Sequence, residues 1–156
     1  MKVIKLLSVL LIIGLMTGCN RNEIFFGYQT VPPGGWNKDS LLTYNIDVNN
    51  SLSKFNIYVH VRHYGNYPYQ NLWLFLDYKR TKDSIPQQDT IECYLADEYG
   101  KWLGNGVGAI TEMPVLFKKQ IQWPDSGTYQ IRIRHGMRDS VLTGINKVGI
   151  RVEKAE

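Results

Sequence analysis

At 156 residues with a formal net charge of +4, the chain has the length of one ordinary domain and needs no second core. Its 18 basic side chains, set against 14 acidic ones, are spread along the sequence apart from Lys118-Lys119 and the Arg132/Arg134 pair, which argues against a nucleic-acid partner. Two cysteines are too few for a disulfide-stapled scaffold.

The chain opens with Lys2 and Lys5 ahead of a short uncharged run, Leu6 to Met16. This is the layout of a secretory signal, and the run is shorter than the roughly 20 apolar residues that a spanning helix needs. Met16-Thr17-Gly18-Cys19 resembles the bacterial lipobox, an aliphatic residue and two small ones before a cysteine. That resemblance implies a diacylglyceryl group on the Cys19 thiol and cleavage between Gly18 and Cys19. The expected organisation is a signal peptide over 1–18, a lipidated tether over 19–23 and a folded domain over 24–156. Loss of Lys2 and Lys5 leaves 16 basic against 14 acidic side chains, close to neutrality. With Cys19 acylated, Cys93 has no partner in the chain. In "DTIECYLAD" Ile91, Cys93 and Leu95 alternate with Glu92 and Tyr94, so Cys93 reads as a small buried hydrophobe.

Beyond the tether the pattern has period two almost throughout. After "IFFGYQTV" near 24–31, "LLTYNIDV" places Leu42, Tyr44, Ile46 and Val48 on one face, and "FNIYVHVRH" does the same with Phe55, Ile57, Val59 and Val61. "NLWLFLDY" is apolar on both faces near its start, as expected of a central strand with Leu72, Leu74 and Leu76 inward. Further strands are expected at 90–95, 115–123, 128–135 and 147–153, and a helical turn near 137–142. The breaks carry turn chemistry, as in Pro32-Pro33-Gly34-Gly35 and Pro124-Asp125-Ser126-Gly127. Eight short strands without covering helices predict an all-β, antiparallel two-sheet sandwich, jelly-roll-like by preference and immunoglobulin-like as the alternative.

Four stretches, "PPGGWNKDS" at 32–40, "NYPYQNLWL" at 66–74, "DTIECYLADEYGKWLGNGVG" at 89–108 and "GTYQIRIRHGMRDSVLTGINKVGIRVE" at 127–153, together resemble the gliding-motility lipoprotein GldH family of the Bacteroidetes. The resemblance covers nearly all of the chain after Cys19. It implies a membrane-anchored envelope lipoprotein associated with gliding motility and protein export, with other envelope proteins as partners and no catalytic residues, metal or cofactor to carry over.

The residues themselves point the same way. His60 and His63, three apart on a strand, face opposite sides and do not share a metal; His135, at a strand end, reads as a surface residue. No Gly-x-Ser-x-Gly elbow is present, and "GKWLGNGVG" lacks the Gly-Lys-Ser/Thr ending of a phosphate loop. Its glycines instead let Trp102 and Leu103 fold back onto the sandwich. Asp97 and Glu98 read as solvated loop carboxylates.

Arg132 and Arg134, alternating with Ile131 and Ile133, present both guanidinium groups outward. With Trp102, Tyr67 and Tyr69 they form the candidate interaction surface. The alternative function is glycan binding at the cell surface, in which loop aromatics such as Trp36, Tyr64, Tyr67, Tyr69, Tyr99 and Trp102 stack on sugars. Their plainer reading is as core and edge residues of the sandwich. The tail Asn20-Arg21-Asn22-Glu23 lacks the acidic cluster that exported lipoproteins of this phylum carry, which favours a periplasm-facing orientation. Asn20 stands where the enterobacterial inner-membrane retention signal has aspartate, which by that sorting rule favours the outer membrane.

Overall fold

The computed structural model describes residues 22–155. Eleven strands follow in order: β1 (Glu23–Thr30), β2 (Trp36–Asn37), β3 (Leu42–Val48), β4 (Phe55–Tyr64), β5 (Asn71–Arg80), β6 (Gln87–Tyr94), β7 (Asn105–Val107), β8 (Ile110–Ile121), β9 (Gly127–His135), β10 (Val141–Leu142) and β11 (Ile145–Lys154). Eight are long and three are short. No helix occurs among the described residues, and the expected helical turn near 137–142 is replaced by β10, which pairs with β2.

One sheet has the order β1-β11-β4-β8-β7 and the other β3-β9-β5-β6, and every paired neighbour is antiparallel. Counting only the long strands, these orders are first-eighth-third-sixth and second-seventh-fourth-fifth. That is the arrangement of a jelly roll, two Greek keys wound into a sandwich. Every connection between long strands except the β5–β6 hairpin carries the chain from one sheet to the other.

The core follows from the alternation. Leu42, Tyr44, Ile46 and Val48 of β3, Phe55, Ile57, Val59 and Val61 of β4, Leu72, Leu74 and Leu76 of β5, and Val148, Ile150 and Val152 of β11 are all buried. The same periodicity carries His135 inward after Ile131 and Ile133, which corrects its reading as a surface residue. It is fully buried because Trp36, from the β1–β3 connection, folds over it at 5.3 Å between ring centres, and its Nε2 donates to the Trp36 carbonyl at 3.0 Å.

The strand directions sort the connections into two ends. At one end lie the start of β1, the 49–54 loop, the 81–86 hairpin turn, the 122–126 turn and the end of β11; it is closed by a stack of Phe55, Trp123 and Tyr129. The opposite end carries the connections 31–41, 65–70, 95–104 and 136–144.

Candidate interaction surfaces

The outer face of the four-stranded sheet is built by register. Arg132 and Arg134 of β9 stand opposite Asp77 and Phe75 of β5. Arg132 donates to Asp77 at 3.2 Å, while the Arg134 guanidinium lies 5.0 Å over the Phe75 ring, a cation–π contact. Two positions further along β5 is Trp73, opposite Glu92 of β6, and the neighbouring outward pair is Asn71 and Tyr94. Asn71 and the Tyr94 hydroxyl both donate to Glu92. Trp73 and Tyr94 stay 39% and 60% exposed, so two rings and one guanidinium without an ion pair among the described residues lie on a single flat face. The sequence reading singled out the arginines and missed the rings. The available signal was Trp73 itself, a large aromatic in an outward slot between Leu72 and Leu74.

The aromatics of the opposite end are placed differently. Tyr67 is buried and donates its hydroxyl to the Asn71 carbonyl at 2.9 Å; Tyr69, half-buried, donates to Asp139 at 2.7 Å. Trp102 is half-buried and packs 4.4 Å from the His63 ring. It is turned back as expected, through an Ala96–Trp102 bridge and Gly104 at φ 85°, where a Cβ would meet the Glu112 carbonyl at 2.1 Å. These side chains cap the core and are not brought together with Arg132 and Arg134. Of the loop aromatics weighed for glycan stacking, Trp36 is fully buried, whereas Tyr64 and Tyr99 are exposed. Asp97 accepts from the backbone N–H groups of Tyr99 and Lys101, an ordinary loop-closing role.

A polar cluster that the sequence reading did not find crosses the outer face of the five-stranded sheet. Tyr28 of β1 lies opposite Gly149 of β11, which lies opposite His60 of β4, which in turn faces Pro114 of β8. Because Gly149 has no side chain, the Tyr28 ring covers it, and a Cβ there would come within 2.7 Å of that ring. The Tyr28 hydroxyl thereby reaches across two strands to donate to Glu112 at 2.5 Å. Glu112 also accepts from His60 Nδ1 at 2.7 Å and Arg62 Nε at 2.6 Å, and the Arg62 guanidinium stacks 4.1 Å over Tyr28. Burial works to raise the Glu112 carboxyl, but the hydrogen bonds from Tyr28, His60 and Arg62 outweigh it and hold the group below its ordinary value. Burial lowers His60, although Glu112 opposes the shift. The cluster ties β1, β4 and β8 together across β11.

His60 faces outward and His63 inward, as the spacing requires. Among the described residues no group of three His, Cys, Asp or Glu side chains is arranged to hold a metal. Cys93 is fully buried, and burial, aided by nearby Glu92, pushes its thiol up to about 12, which leaves it inert as a nucleophile. Gly18 and Cys19 lie outside the described residues.

The family model described as "GldH lipoprotein" matches residues 23–152, which is nearly the whole described fold. The chain belongs to the GldH lipoprotein family. It is 31% identical over 149 residues to the "Gliding motility lipoprotein GldH" of Flavobacterium johnsoniae, covering 91% of each chain. It is 29% identical to the "Gliding motility lipoprotein GldH homolog" of Christiangramia forsetii, covering 91% of this chain and 90% of that one. Among solved structures, the VP2 subviral particle of infectious bursal disease virus aligns with 86% of the chain at 10% identity and a TM-score of 0.34. The aligned part spans 31% of that viral chain, and so distant a likeness adds nothing to the argument.

Proposed function

We propose that this protein is a non-enzymatic envelope lipoprotein of a gliding-motility or protein-secretion machinery, anchored by acyl chains on Cys19 and acting by binding other proteins. The observation that carries the binding role is the outer face of β5, β6 and β9, where Trp73, Tyr94 and Arg134 stand exposed side by side. Tyr, Trp and Arg dominate the energetics of protein interfaces because they bring large contact area and directional polar groups at low entropic cost. Membership of a family whose relatives are named for gliding motility supplies the setting.

The anchor rests on the lipobox. A buried methylene contributes about 0.8 kcal/mol, so several acyl chains on Cys19 would make release negligible. Asn20 in place of an aspartate supports an outer-membrane position, and the lack of an acidic cluster over 20–23 supports a domain facing the periplasm.

In the native cell, the double variant Trp73→Ala/Tyr94→Ala is expected to stay folded and membrane-bound, yet to lose the envelope proteins that wild type recovers after mild crosslinking. Recovery at the wild-type level, with normal spreading and secretion, would overturn the assignment of this face. Mass measurement of the purified chain tests the anchor, which an unmodified Cys19 or a retained Met1 rules out.

A further inference from the structure

The end of the sandwich that carries the first residue of β1 is unlike the rest of the surface. Leu52, in the 49–54 loop, and Ile85, in the 81–86 hairpin turn, are 83% and 84% exposed, whereas the other large exposed aliphatic side chains among the described residues, Leu41, Leu116 and Val141, are shielded by more than half. Both project from the same end. Between the hairpin and the 122–126 turn, a cavity of about 290 Å³ opens there, with Ile85, Ile121 and Trp123 on its apolar side and Arg80, Asp83 and Lys118 on its charged side.

Charge at this end is uneven as well. Asp83 and Asp125 share the single guanidinium of Arg80, which leaves one negative charge over, and Asp89 is paired with Lys118. Lys54, Lys82, Lys119 and Lys154 are exposed and make no ion pair among the described residues, against Glu23 and Asp47. Exposed aliphatic tips ringed by unpaired lysines suit a lipid surface with anionic headgroups, which attracts juxtamembrane lysines.

Chain length identifies which surface that is. The Asn22 carbonyl accepts from the Lys154 N–H at 2.7 Å, so the chain is pinned to the sandwich from residue 22 onward. Only three Cα steps separate Asn22 from Cys19, a reach of about 11 Å at full extension. A leaflet's headgroup layer alone is roughly 5–7 Å deep. Even fully extended, the tether leaves no more than about 4–6 Å between this end and the headgroup layer, so the end is held at the membrane surface.

We propose that the sandwich stands end-on against its own membrane, with Leu52 and Ile85 inserted at the headgroup level and Lys54, Lys82, Lys119 and Lys154 on anionic lipid. This inference rests on Cys19 being the acylated residue. It makes the lipid anchor and the domain one contact, with the opposite end and both outer sheet faces directed away from the lipid.

The test uses the full lipidated chain in vesicles of phosphatidylethanolamine and phosphatidylglycerol, with a polarity-sensitive dye on Leu52→Cys, Ile85→Cys or, as the distal reference, Tyr99→Cys. Buried Cys93 does not compete for the label. Expected is a blue shift, with loss of emission to lipid-borne quenchers, for dyes at 52 and 85 and neither effect at 99. If the chain floats with the vesicles while all three dyes remain water-like, the end-on contact is overturned and the anchor stands. If it fails to float and Cys19 proves unmodified, both fall.

Discussion

Glu112 shows how much one side chain can organise on an open sheet face. Its carboxylate accepts three hydrogen bonds, from Tyr28, His60 and Arg62, and each donor comes from a strand other than its own. Glu112→Ala removes the shared acceptor and leaves a half-buried tyrosine hydroxyl and an imidazole N–H without one; the expected loss is about 1–3 kcal/mol. Urea unfolding of the variant measures it. Glu112→Gln, which keeps an acceptor oxygen and the volume, should lose less. Nothing local in the sequence announces this set, because residues 28, 60, 62 and 112 meet only once the register of four strands is fixed. Trp73 was closer to the surface of the sequence, since Leu72, Leu74 and Leu76 inward set it outward, but its place beside Tyr94 and Arg134 depends on the pairing of β5 with β6 and β9.

At the scale of elements, β5 is where alternation and position reinforce one another. It lies between β9 and β6, and Leu72, Leu74 and Leu76 point into the core, all three fully buried. Leu74→Ala should cost about 2–5 kcal/mol, through lost transfer energy and the cavity left beneath the opposing sheet. The denaturant midpoint should fall with no change in slope. A substitution at outward Lys79 should stay within about 0.5 kcal/mol. Most of the long strands were legible for this same reason, since β3, β4, β5, β8, β9 and β11 each carry at least three inward apolar residues in period two. β2 and β10 were not, because two residues display no period and their pairing depends on Trp36 and Leu142 being drawn into the core from irregular connections. The same blindness hid His135, whose burial is decided by Trp36 99 residues away.

For the molecule as a whole, all three histidines are buried, and burial is the main cause that lowers each of them from 6.5. The unfolded chain therefore takes up protons below that value before the folded one does. Stability is fully present above about pH 6.5 and falls as the pH drops toward the depressed folded values. Unfolding midpoints recorded between pH 7.5 and 5 check this, and His63→Gln should flatten the slope by removing one of the three contributions. Two Greek keys need strands far apart in sequence to pair, so the topology itself was the part least open to local reading; the count of eight strands made a jelly roll the economical solution, and the orders of the two sheets agree with it.

The pairing of β1 with β11 also decides how the domain carries a mechanical load. With the anchor at Cys19 as proposed, Glu23 leads away from it along the edge of the five-stranded sheet, and β1 runs antiparallel to β11 from its first residue to Thr30. Its ladder bonds lie perpendicular to the strand. A pull between the membrane and a ligand held on the opposite sheet is therefore directed along the strand and shears the whole ladder at once, instead of peeling it bond by bond. A domain tethered in this way resists tension best along the one axis on which its anchor can apply it.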